Sequence, residues 1–383
     1  MTSYLRYKQE LSVLDADDIE WITVKGNHIP IKKGESKEDA IKSFFEEKSG
    51  KSSSSNGQKE SSGKSTSAGT KTQSGGKLSV KSIIERAHQS KANTKITPDY
   101  IVKEAVKFGK YDEKSIKARQ GKYEEYKNKG VKQTIETHST GGRWENGDYV
   151  DYEWKPERLD LQKKIVDEVS FGDIKEKLPK AGEKPRLVLI GGRGGSGKSK
   201  FTYKDPSKNE LGEYGYDKNK FVVIDPDEYK ERLPEYKDLV DKGSDYAGLN
   251  AWEVHEESSA MKKMALEKAL ALGANVVLDG TLAKYGSAKK TLDKFREKGY
   301  IIDVAFMELP REKSAVRGIN RGMRSGSTGK ASGRWVPVDV MLGMTDCEDN
   351  FDKLSKDADH WVMFDNDVPS GEKPRFVAKG GKK

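Results

Sequence analysis

Apolar and polar residues follow two different patterns along this chain of 383 residues. From residue 151 onward, short runs of consecutive apolar residues are separated by long amphipathic helical stretches. The runs lie at 186–190, 221–224, 275–278 and 301–306, and the longest helical stretches lie at 252–272 and 288–298. Continuous apolar strands that alternate with helices are typical of a parallel sheet buried on both faces. The pattern therefore predicts an α/β fold with a mostly parallel sheet.

The beginning of the chain shows strict alternation instead. Residues 19–24 alternate apolar and polar side chains, a turn follows at 25–27, and residues 28–31 continue with Pro30 on an edge. This arrangement predicts a β-hairpin. Ser36 and the acidic residues after it predict the start of a short helix over 37–47. We expect residues 1–48 to form a small module of a β-hairpin and a helix.

Two segments separate this module from the α/β region. Residues 49–77 contain 10 serines and 6 glycines, and such a composition predicts a disordered Ser/Gly/Lys linker because it cannot bury a core. Residues 78–150 are highly charged and helical in pattern. We interpret them as an exposed helical spacer, with a partner-binding or autoinhibitory segment as the alternative. The α/β domain then spans 151–370, and residues 371–383 form a basic tail.

Composition and charge exclude several classes of protein. No run reaches the roughly 18–20 apolar residues that span a bilayer, and the N-terminus lacks a secretory core, so we expect a cytoplasmic protein that does not enter a membrane. The single cysteine, Cys347, excludes an intramolecular disulfide and a multi-cysteine metal site. The net charge of +9 comes from residues 51–200, where a solvated linker is favoured over a contact with nucleic acid.

The strand at 186–190 runs directly into a glycine-rich loop. Residues 192–199 fit the pattern G-x-x-x-x-G-K-[ST], in which backbone N–H groups turn around the phosphates of a nucleotide. Lys198 is expected to reach the β- and γ-phosphates, Ser199 to ligate Mg²⁺, and a helix to follow from residue 198. The sequence thus predicts ATP and Mg²⁺ as cofactors. The residues predicted to bind the nucleotide are Gly192, Arg193, Gly194, Gly195, Ser196, Gly197, Lys198 and Ser199.

Acidic residues follow the next two strands. Asp225 and Asp227 come after the strand at 221–224, and Asp279 follows the strand at 275–278. The carboxyl ends of parallel strands face the ligand crevice of an open α/β sheet. A carboxylate there can accept a proton from an attacking hydroxyl or hold Mg²⁺. We expect Asp279 to lie near the metal. These acids also have purely structural alternatives: Asp225 or Asp227 could cap the following helix, and Asp279 could form a tight turn.

A basic, flexible stretch follows the fourth strand. Arg311, Arg317, Arg321 and Arg324 lead into the Gly/Ser-rich residues 325–333 and then Arg334. Phosphoryl transfer needs cations over the transferring group and a mobile segment that excludes water. The stretch is therefore interpreted as a kinase lid, and surface arginines beside a disordered loop are the alternative, which we favour for Arg311 and Arg317.

These motifs together resemble the zeta-toxin family of P-loop kinases over roughly residues 150–370. The residues that carry the resemblance are the loop 191–199, Val-Ile-Asp-Pro-Asp-Glu-Tyr-Lys at 223–230, His-Glu-Glu-Ser-Ser at 255–259 and Val-Val-Leu-Asp-Gly-Thr at 276–281. The resemblance implies ATP-dependent phosphorylation of the 3′-hydroxyl of UDP-N-acetylglucosamine. It also implies that Asp227 is the catalytic base and Thr291 contacts the substrate. Arg321 and Arg334 fall at the two catalytic arginines, and Lys198 at the lysine of the phosphate loop.

One position departs from the family. A sugar-contacting glutamate of the family falls on Lys263, and the nearest acids on that helix are Glu256 and Glu257, so we take Glu257 as the substitute. The acceptor could then be another small molecule. The resemblance implies a phage or plasmid origin and an antitoxin or phage-particle protein as partner, with virion association as an alternative location. A 5′-hydroxyl polynucleotide kinase and a non-catalytic nucleotide-binding particle component remain alternative functions.

Overall fold

The computed structural model describes residues 19–24, 27–32, 36–38, 78–109, 111–146, 148–327, 329–369 and 371–382. The first two strands, β1 (Ile19–Val24) and β2 (Asn27–Lys32), form an antiparallel hairpin in which Trp21 pairs with Pro30. The hairpin lies where the alternating pattern predicts it. Of the helix predicted over 37–47, only residues 37 and 38 are described, and both are helical. The predicted linker at 49–77 lies outside the described residues.

A six-stranded sheet forms the centre of the α/β region. Its order is β12-β11-β10-β5-β9-β8, and all neighbours are parallel except β11 and β12. This confirms the predicted α/β fold with a mostly parallel sheet. The sheet strands are β5 (Arg186–Gly191), β8 (Val222–Ile224), β9 (Val276–Asp279), β10 (Ile301–Glu308), β11 (His360–Asp365) and β12 (Arg375–Gly380). Two further strand pairs are β3 (Ser139–Glu145) with β4 (Asp148–Trp154), and β6 (Thr202–Tyr203) with β7 (Tyr216–Asp217).

Both faces of the sheet are buried. Leu187 and Leu189 of β5 point into one hydrophobic cluster, whereas Val188 and Ile190 point into another. Alternate residues of a strand face opposite sides, so a strand covered on both sides needs an unbroken apolar run. Helices cover the face of Leu187 and Leu189, whereas the segment between β5 and β8 covers the other face with Phe201, Leu211 and Tyr214. In chain order, the α-helices of the described residues are α1 (Val80–Ala92), α2 (Pro98–Phe108), α3 (Glu113–Asn128), α4 (Thr134–Thr137), α5 (Pro156–Val166), α6 (Ile174–Lys177), α7 (Pro226–Lys230), α8 (Pro234–Asp241), α9 (His255–Leu272), α10 (Tyr285–Glu297), α11 (Arg311–Gly322), α12 (Val338–Leu342) and α13 (Cys347–Ser355).

The helices between residues 78 and 128 are part of the folded core, so their interpretation as an exposed spacer is wrong. Ile83 of α1 is fully buried in the cluster that covers one face of the sheet. Ile101 of α2 and Ile116 of α3 are fully buried in a second cluster together with Ile319 of α11. The predicted boundary at 150/151 also falls inside β4. The error arose because charged side chains dominate these helices, while a few apolar residues in each one make the contacts.

The helix predicted after the phosphate loop is also wrong. A single 3₁₀ turn at Lys198–Phe201 follows the loop, and the short strand β6 begins at Thr202. Phe201 is fully buried against Phe364 of β11, which ends the turn against the sheet. Anion binding at this loop must therefore come from the loop amides and nearby cations rather than from a helix dipole. Among the described residues, no helix is long and apolar enough to cross a bilayer.

Candidate active site

The glycine-rich loop leaves the carboxyl end of β5 in a conformation that needs glycine. Gly192, Gly195 and Gly197 have φ values of 138°, 82° and 94°, in or near the left-handed region that other residues avoid. A side chain at Gly192 would also collide with the carbonyl oxygen of Met307, and one at Gly197 with the amide of Asn366. Both the backbone angles and the close packing therefore require these glycines.

The loop is held from behind by three donors that occupy its carbonyl groups. Ser314 Oγ donates to the carbonyl of Gly194 at 2.6 Å, and Asn366 Nδ2 donates to that of Ser196 at 2.6 Å. Arg317 Nη1 donates to the carbonyl of Gly195 at 3.3 Å. These contacts fix the loop backbone from the protein side, and within the loop the N–H of Ser196 donates to the carbonyl of Arg193 at 3.1 Å. A glycine-rich backbone turn of this kind can form an anion-binding nest. Arg317, expected to be a surface residue, thus supports the loop.

The side chain of Arg193 points away from the nucleotide side of the loop. The guanidinium is 3% exposed and forms a two-pronged ion pair with Glu348, with Nη2 2.7 Å from Oε2. Its Nε donates to the carbonyl of Met344 at 2.8 Å. The side chain of Arg193 thus anchors the loop to α13, and the predicted contact of residue 193 with the nucleotide would come from its backbone N–H. The hydroxyl of Ser196 is also buried, and it has no hydrogen-bond partner among the described residues.

Lys198 lies where the loop meets the strand-end acids. Its Nζ is 3.3 Å from the carbonyl of Arg193 and 3.6 Å from Oδ1 of Asp279. Asp279 ends β9 and pairs in register with Ile190 of β5, which places it at the loop. Burial raises the pKa of Asp279, and Lys198 opposes that rise. Lys198 is thus positioned between a phosphate-binding loop and a carboxylate.

Asp225 and Asp279 form an acidic pair at the same edge of the sheet. Ile224 and Leu278, the residues before them, are partners in register. Burial, followed by Asp279 and Asp227, raises the pKa of Asp225 to about 7. Asp225 also accepts a hydrogen bond from the backbone N–H of Asp227 at 2.9 Å. Asp225 therefore caps α7, which is the structural alternative expected for this acid.

The residues predicted for Mg²⁺ fit its chemistry, although they form a sparse set. Ser199 is exposed on the loop, and Asp279 and Asp225 are two partly buried acids that a nearby cation would stabilise. Hydroxyl and carboxylate oxygens are the ligands that Mg²⁺ prefers. In the part of the chain that the structure describes, no three His, Cys, Asp or Glu side chains form a closed cation site. Most of the ligands would therefore come from phosphate and water, as is usual for Mg²⁺.

Asp227 is surrounded by cations. Arg334 Nη2 lies 2.6 Å from its Oδ2, and Lys230 Nζ lies 3.3 Å from its Oδ1. Burial raises the pKa of Asp227, but Arg334, Lys230 and Arg321 outweigh that effect and hold it below its ordinary value. The carboxylate is 39% exposed. It is therefore charged, oriented and open to a reacting group.

Arg321 completes the charged cluster. Its Nη2 is 3.8 Å from where a side chain on Gly194 would begin, so the guanidinium lies over the phosphate loop. Burial and the nearby Arg334 lower its pKa, and its Nε has no hydrogen-bond partner among the described residues. Two guanidinium groups thus face the gap between the loop and Asp227. The structure brings Lys198, Asp227, Asp279, Arg321 and Arg334 together, as the sequence predicted.

Sequence reasoning missed a pair that extends this cluster. The buried Lys230 contacts Asp227 on one side, and its Nζ lies 3.1 Å from Nδ1 of His255 on the other. The His255 side chain is 57% exposed, and desolvation in the site followed by the Lys230 ammonium lowers its pKa. An ammonium can only donate, so Nδ1 accepts in this contact and the ring is neutral. Its Nε2 then carries the proton and can donate to a ligand. The sequence does contain a signal for this pair, because Lys230 ends the motif at 223–230 and His255 begins the motif at 255–259.

Two predicted substrate contacts do not join the cluster. Glu257 is fully buried; its Oε1 accepts from Arg158 Nε at 2.7 Å and from Gln162 Nε2 at 2.8 Å, and its Oε2 accepts from Arg158 Nη2 at 2.8 Å. Its predicted role as a substitute sugar ligand is therefore wrong, because both of its oxygens are occupied inside the protein. Thr291 lies on α10 and donates to the carbonyl of Ser287 at 3.1 Å; no contact described here links it to the charged cluster. Lys263 is exposed on α9.

The chain is similar to several known proteins. Toxin PezT of Streptococcus pneumoniae serotype 4 is 27% identical over 143 residues, which is 35% of this chain and 49% of PezT. The chain thus spans about half the length of that curated relative. The PezAT toxin–antitoxin system of Streptococcus pneumoniae is similar with a TM-score of 0.39 at 18% identity, covering 56% of this chain and 79% of that one.

A second similar structure is the complex of AvrRxo1-ORF1 and AvrRxo1-ORF2 with ATP. It has a TM-score of 0.45 at 19% identity and covers 65% of this chain and 76% of that one. The family model described as zeta toxin matches residues 170–369, more than half of the chain. This range contains the phosphate loop, the three strand-end acids, Lys230, His255, Arg321 and Arg334. The chain therefore belongs to the zeta toxin family.

Proposed function

We propose that this protein is an ATP-dependent P-loop kinase that transfers the γ-phosphoryl group to a hydroxyl of a small molecule. The observation that carries the proposal is the contact of Asp227 with Arg334, beside Arg321 and the phosphate loop. An acid that is kept ionised at the end of a sheet strand can accept a proton from a hydroxyl. Cations placed around it can stabilise charge on a transferring phosphoryl group.

The reaction then needs four groups of the chain. The acceptor hydroxyl gives its proton to Asp227 as its oxygen forms a bond to the γ-phosphorus. The bond from that phosphorus to the bridging oxygen breaks, and the electron pair leaves with ADP. Lys198 holds the β- and γ-phosphates, while Arg321 and Arg334 stabilise the negative charge on the transferring group. A bound Mg²⁺ would supply further charge neutralisation at the phosphates, with Ser199 and Asp279 as the residues that would hold it.

UDP-N-acetylglucosamine, at its 3′-hydroxyl, is the acceptor we favour, on the strength of family membership alone. Lys263 is the departure that bears on it, since a cation occupies the position where a sugar-contacting glutamate is expected. A related nucleotide-bearing acceptor is the alternative that this change would favour. On the same basis we propose a cognate antitoxin as the protein partner, which binding to the purified chain would test.

The decisive experiment measures transfer to the acceptor directly. The purified chain is incubated with ATP, Mg²⁺ and UDP-N-acetylglucosamine, and mass spectrometry follows a sugar nucleotide heavier by one phosphate. Lys198→Ala and Asp227→Asn should each abolish the product, with Asp227→Asn still binding ATP. Asp238→Asn is the matched control, because that acid is exposed and pairs only with the neighbouring Lys242 in the described contacts. Product formation that survives Asp227→Asn would remove Asp227 as the base.

ATP turnover without that product has a separate meaning. It would keep the kinase reaction and discard this acceptor, and other nucleotide-bearing molecules would be screened in the same assay. Binding of ATP with no turnover for any acceptor would overturn the kinase proposal itself.

A further inference from the structure

A buried arginine lies outside the part of the chain that matches the zeta toxin family. Arg119 belongs to α3, well before residue 170 where the family match begins, and its side chain is 5% exposed. Among the described residues, no carboxylate pairs with it. Its guanidinium donates instead to three backbone carbonyls, those of Ala247 at 2.5 Å, Gly333 at 3.3 Å and Asp245 at 3.3 Å.

Burial of Arg119 without a carboxylate partner in the described part of the chain lowers the stability of the fold, so its presence calls for a functional reason. A charged group removed from water without an opposite charge loses hydration that carbonyl contacts only partly replace. Burial accordingly lowers the pKa of Arg119 to about 10. An apolar side chain would fill a core position at lower cost. What an apolar side chain cannot do is bind several carbonyls at once and hold two stretches of backbone at a set distance.

The three carbonyls belong to two loops that run side by side. Trp335 N–H donates to the carbonyl of Gly248 at 2.9 Å, and a side chain on Gly248 would collide with the carbonyl of Gly333. Arg119 bridges the same two loops through Ala247 and Gly333. Its guanidinium therefore completes a contact between the loop at 245–248 and the loop that ends at 335.

Gly333 is the residue immediately before Arg334. Its N–H donates to the carbonyl of Arg324 at 3.1 Å, and its α-carbon packs against the carbonyl of Arg321 so closely that no side chain fits. The backbone that Arg119 binds is thus in contact with the end of α11, which carries Arg321, and is one residue from the arginine that contacts Asp227. Any shift of Gly333 would therefore move Arg334, the next residue along the chain.

We infer that Arg119 is a positioning residue that holds the loop bearing Arg334 in place, so that α3 is part of the phosphoryl-transfer apparatus. The inference rests on the proposed function of Arg334. Arg119 touches neither nucleotide nor acceptor; it acts by binding the carbonyl next to Arg334. Displacement of a catalytic group by about 1 Å can lower a rate by on the order of 100-fold. The loss should fall on kcat, since the phosphate loop itself keeps its own supports.

The test compares Arg119→Ala and Arg119→Lys with Lys117→Ala in the full chain. Lys117 is the matched control, because it lies on the same helix, is exposed and pairs with Glu113. Arg119→Ala should lower kcat by about 10- to 100-fold with the KM for ATP changed less than about twofold. Arg119→Lys should be intermediate, since one ammonium cannot bind three carbonyls as a guanidinium does. Lys117→Ala should match the wild type.

A double-mutant comparison separates positioning from general stabilisation. If Arg119 acts through Arg334, then adding Arg119→Ala to Arg334→Ala should cause no further loss of kcat. A full additional loss in the double variant, or an unchanged kcat in Arg119→Ala, would overturn the inference. If Arg119→Ala does not fold, Arg119→Lys carries the same two comparisons.

An activity-independent measurement keeps this inference separate from the kinase proposal. Amide hydrogen exchange at Trp335 should become faster in Arg119→Ala, while exchange in β5 and β10 stays at the wild-type rate. Faster exchange throughout the sheet would show a general loss of stability and would count against positioning. If the wild type transfers no phosphate to any acceptor, the proposed function fails, whereas the exchange result still decides whether Arg119 holds this loop.

Discussion

Arg334 Nη2 lies 2.6 Å from Oδ2 of Asp227, so the proposed base is already paired with a proposed catalytic cation. The two residues are 107 positions apart in sequence, and each follows a different element of the α/β region. Their contact orients the carboxylate and keeps it ionised. It also means that Arg334 contributes to two tasks, one on the base and one on the transferring phosphoryl group.

Removal of Arg334 should change the pH dependence of the reaction as well as its rate. Burial raises the pKa of Asp227, and Arg334 is the largest of the effects that lower it, so Arg334→Ala should raise that pKa. A base must be ionised to act, and the acidic limb of the kcat/KM profile should therefore move to higher pH. Arg324→Ala, an exposed arginine of the same loop, is the control. An acidic limb that stays in place would separate Arg334 from the base.

Lys230 should control the ionisation of His255. Desolvation in the site and then the Lys230 ammonium lower the pKa of His255, and Lys230→Met removes the second cause only. The pKa of His255 should therefore rise in this variant toward its ordinary value of about 6.5. NMR titration of the histidine ring protons measures it, with His255→Gln to assign the signal. Lys237→Met is the control, and an unchanged His255 pKa in Lys230→Met would refute the coupling.

The buried pair of Arg193 and Glu348 should be a major support of the phosphate loop. Removal of one member of a buried ion pair leaves the other without compensation and costs about 3–5 kcal/mol. Arg193→Met should therefore lower the free energy of unfolding by that order, measured by urea denaturation, and weaken ATP binding. Lys237→Ala breaks an exposed pair with Asp241 and should cost less than about 1 kcal/mol. Equal effects of the two variants would show that burial of the pair has no special weight.

Gly197 should be intolerant of alanine for two separable reasons. Its φ of 94° strains any other residue, and an added side chain would also collide with Asn366. Gly130 has a φ of 71° with no atom near the added side chain, so Gly130→Ala isolates the backbone cost of about 1–2 kcal/mol. Gly197→Ala should in addition lose most ATP affinity in titration calorimetry. Wild-type affinity in Gly197→Ala would mean that the loop does not bind the phosphates.

Local sequence was sufficient for four of the six sheet strands and for the choice of candidate site residues. It did not predict β11 and β12, and β12 lies within residues 371–383, so the expectation of a basic tail there is wrong. Apolar runs identified the buried strands because a strand covered on both faces needs consecutive apolar side chains. The acids at 227 and 279 could be placed at one edge because carboxyl ends of parallel strands meet there. The glycines of the phosphate loop carry their conformational requirement in the residue type itself.

Tertiary structure decided which charged side chains face the ligand and which face the interior. The side chain of Arg193 points inward because Glu348, 155 residues later, neutralises it. The carboxylate of Glu257 pairs with Arg158, 99 residues earlier. Arg119 binds carbonyls on two loops more than 120 residues away. The identity of an ionisable residue states that it needs a partner but not which one, because a buried charge is satisfied by whatever group the fold brings within hydrogen-bonding distance.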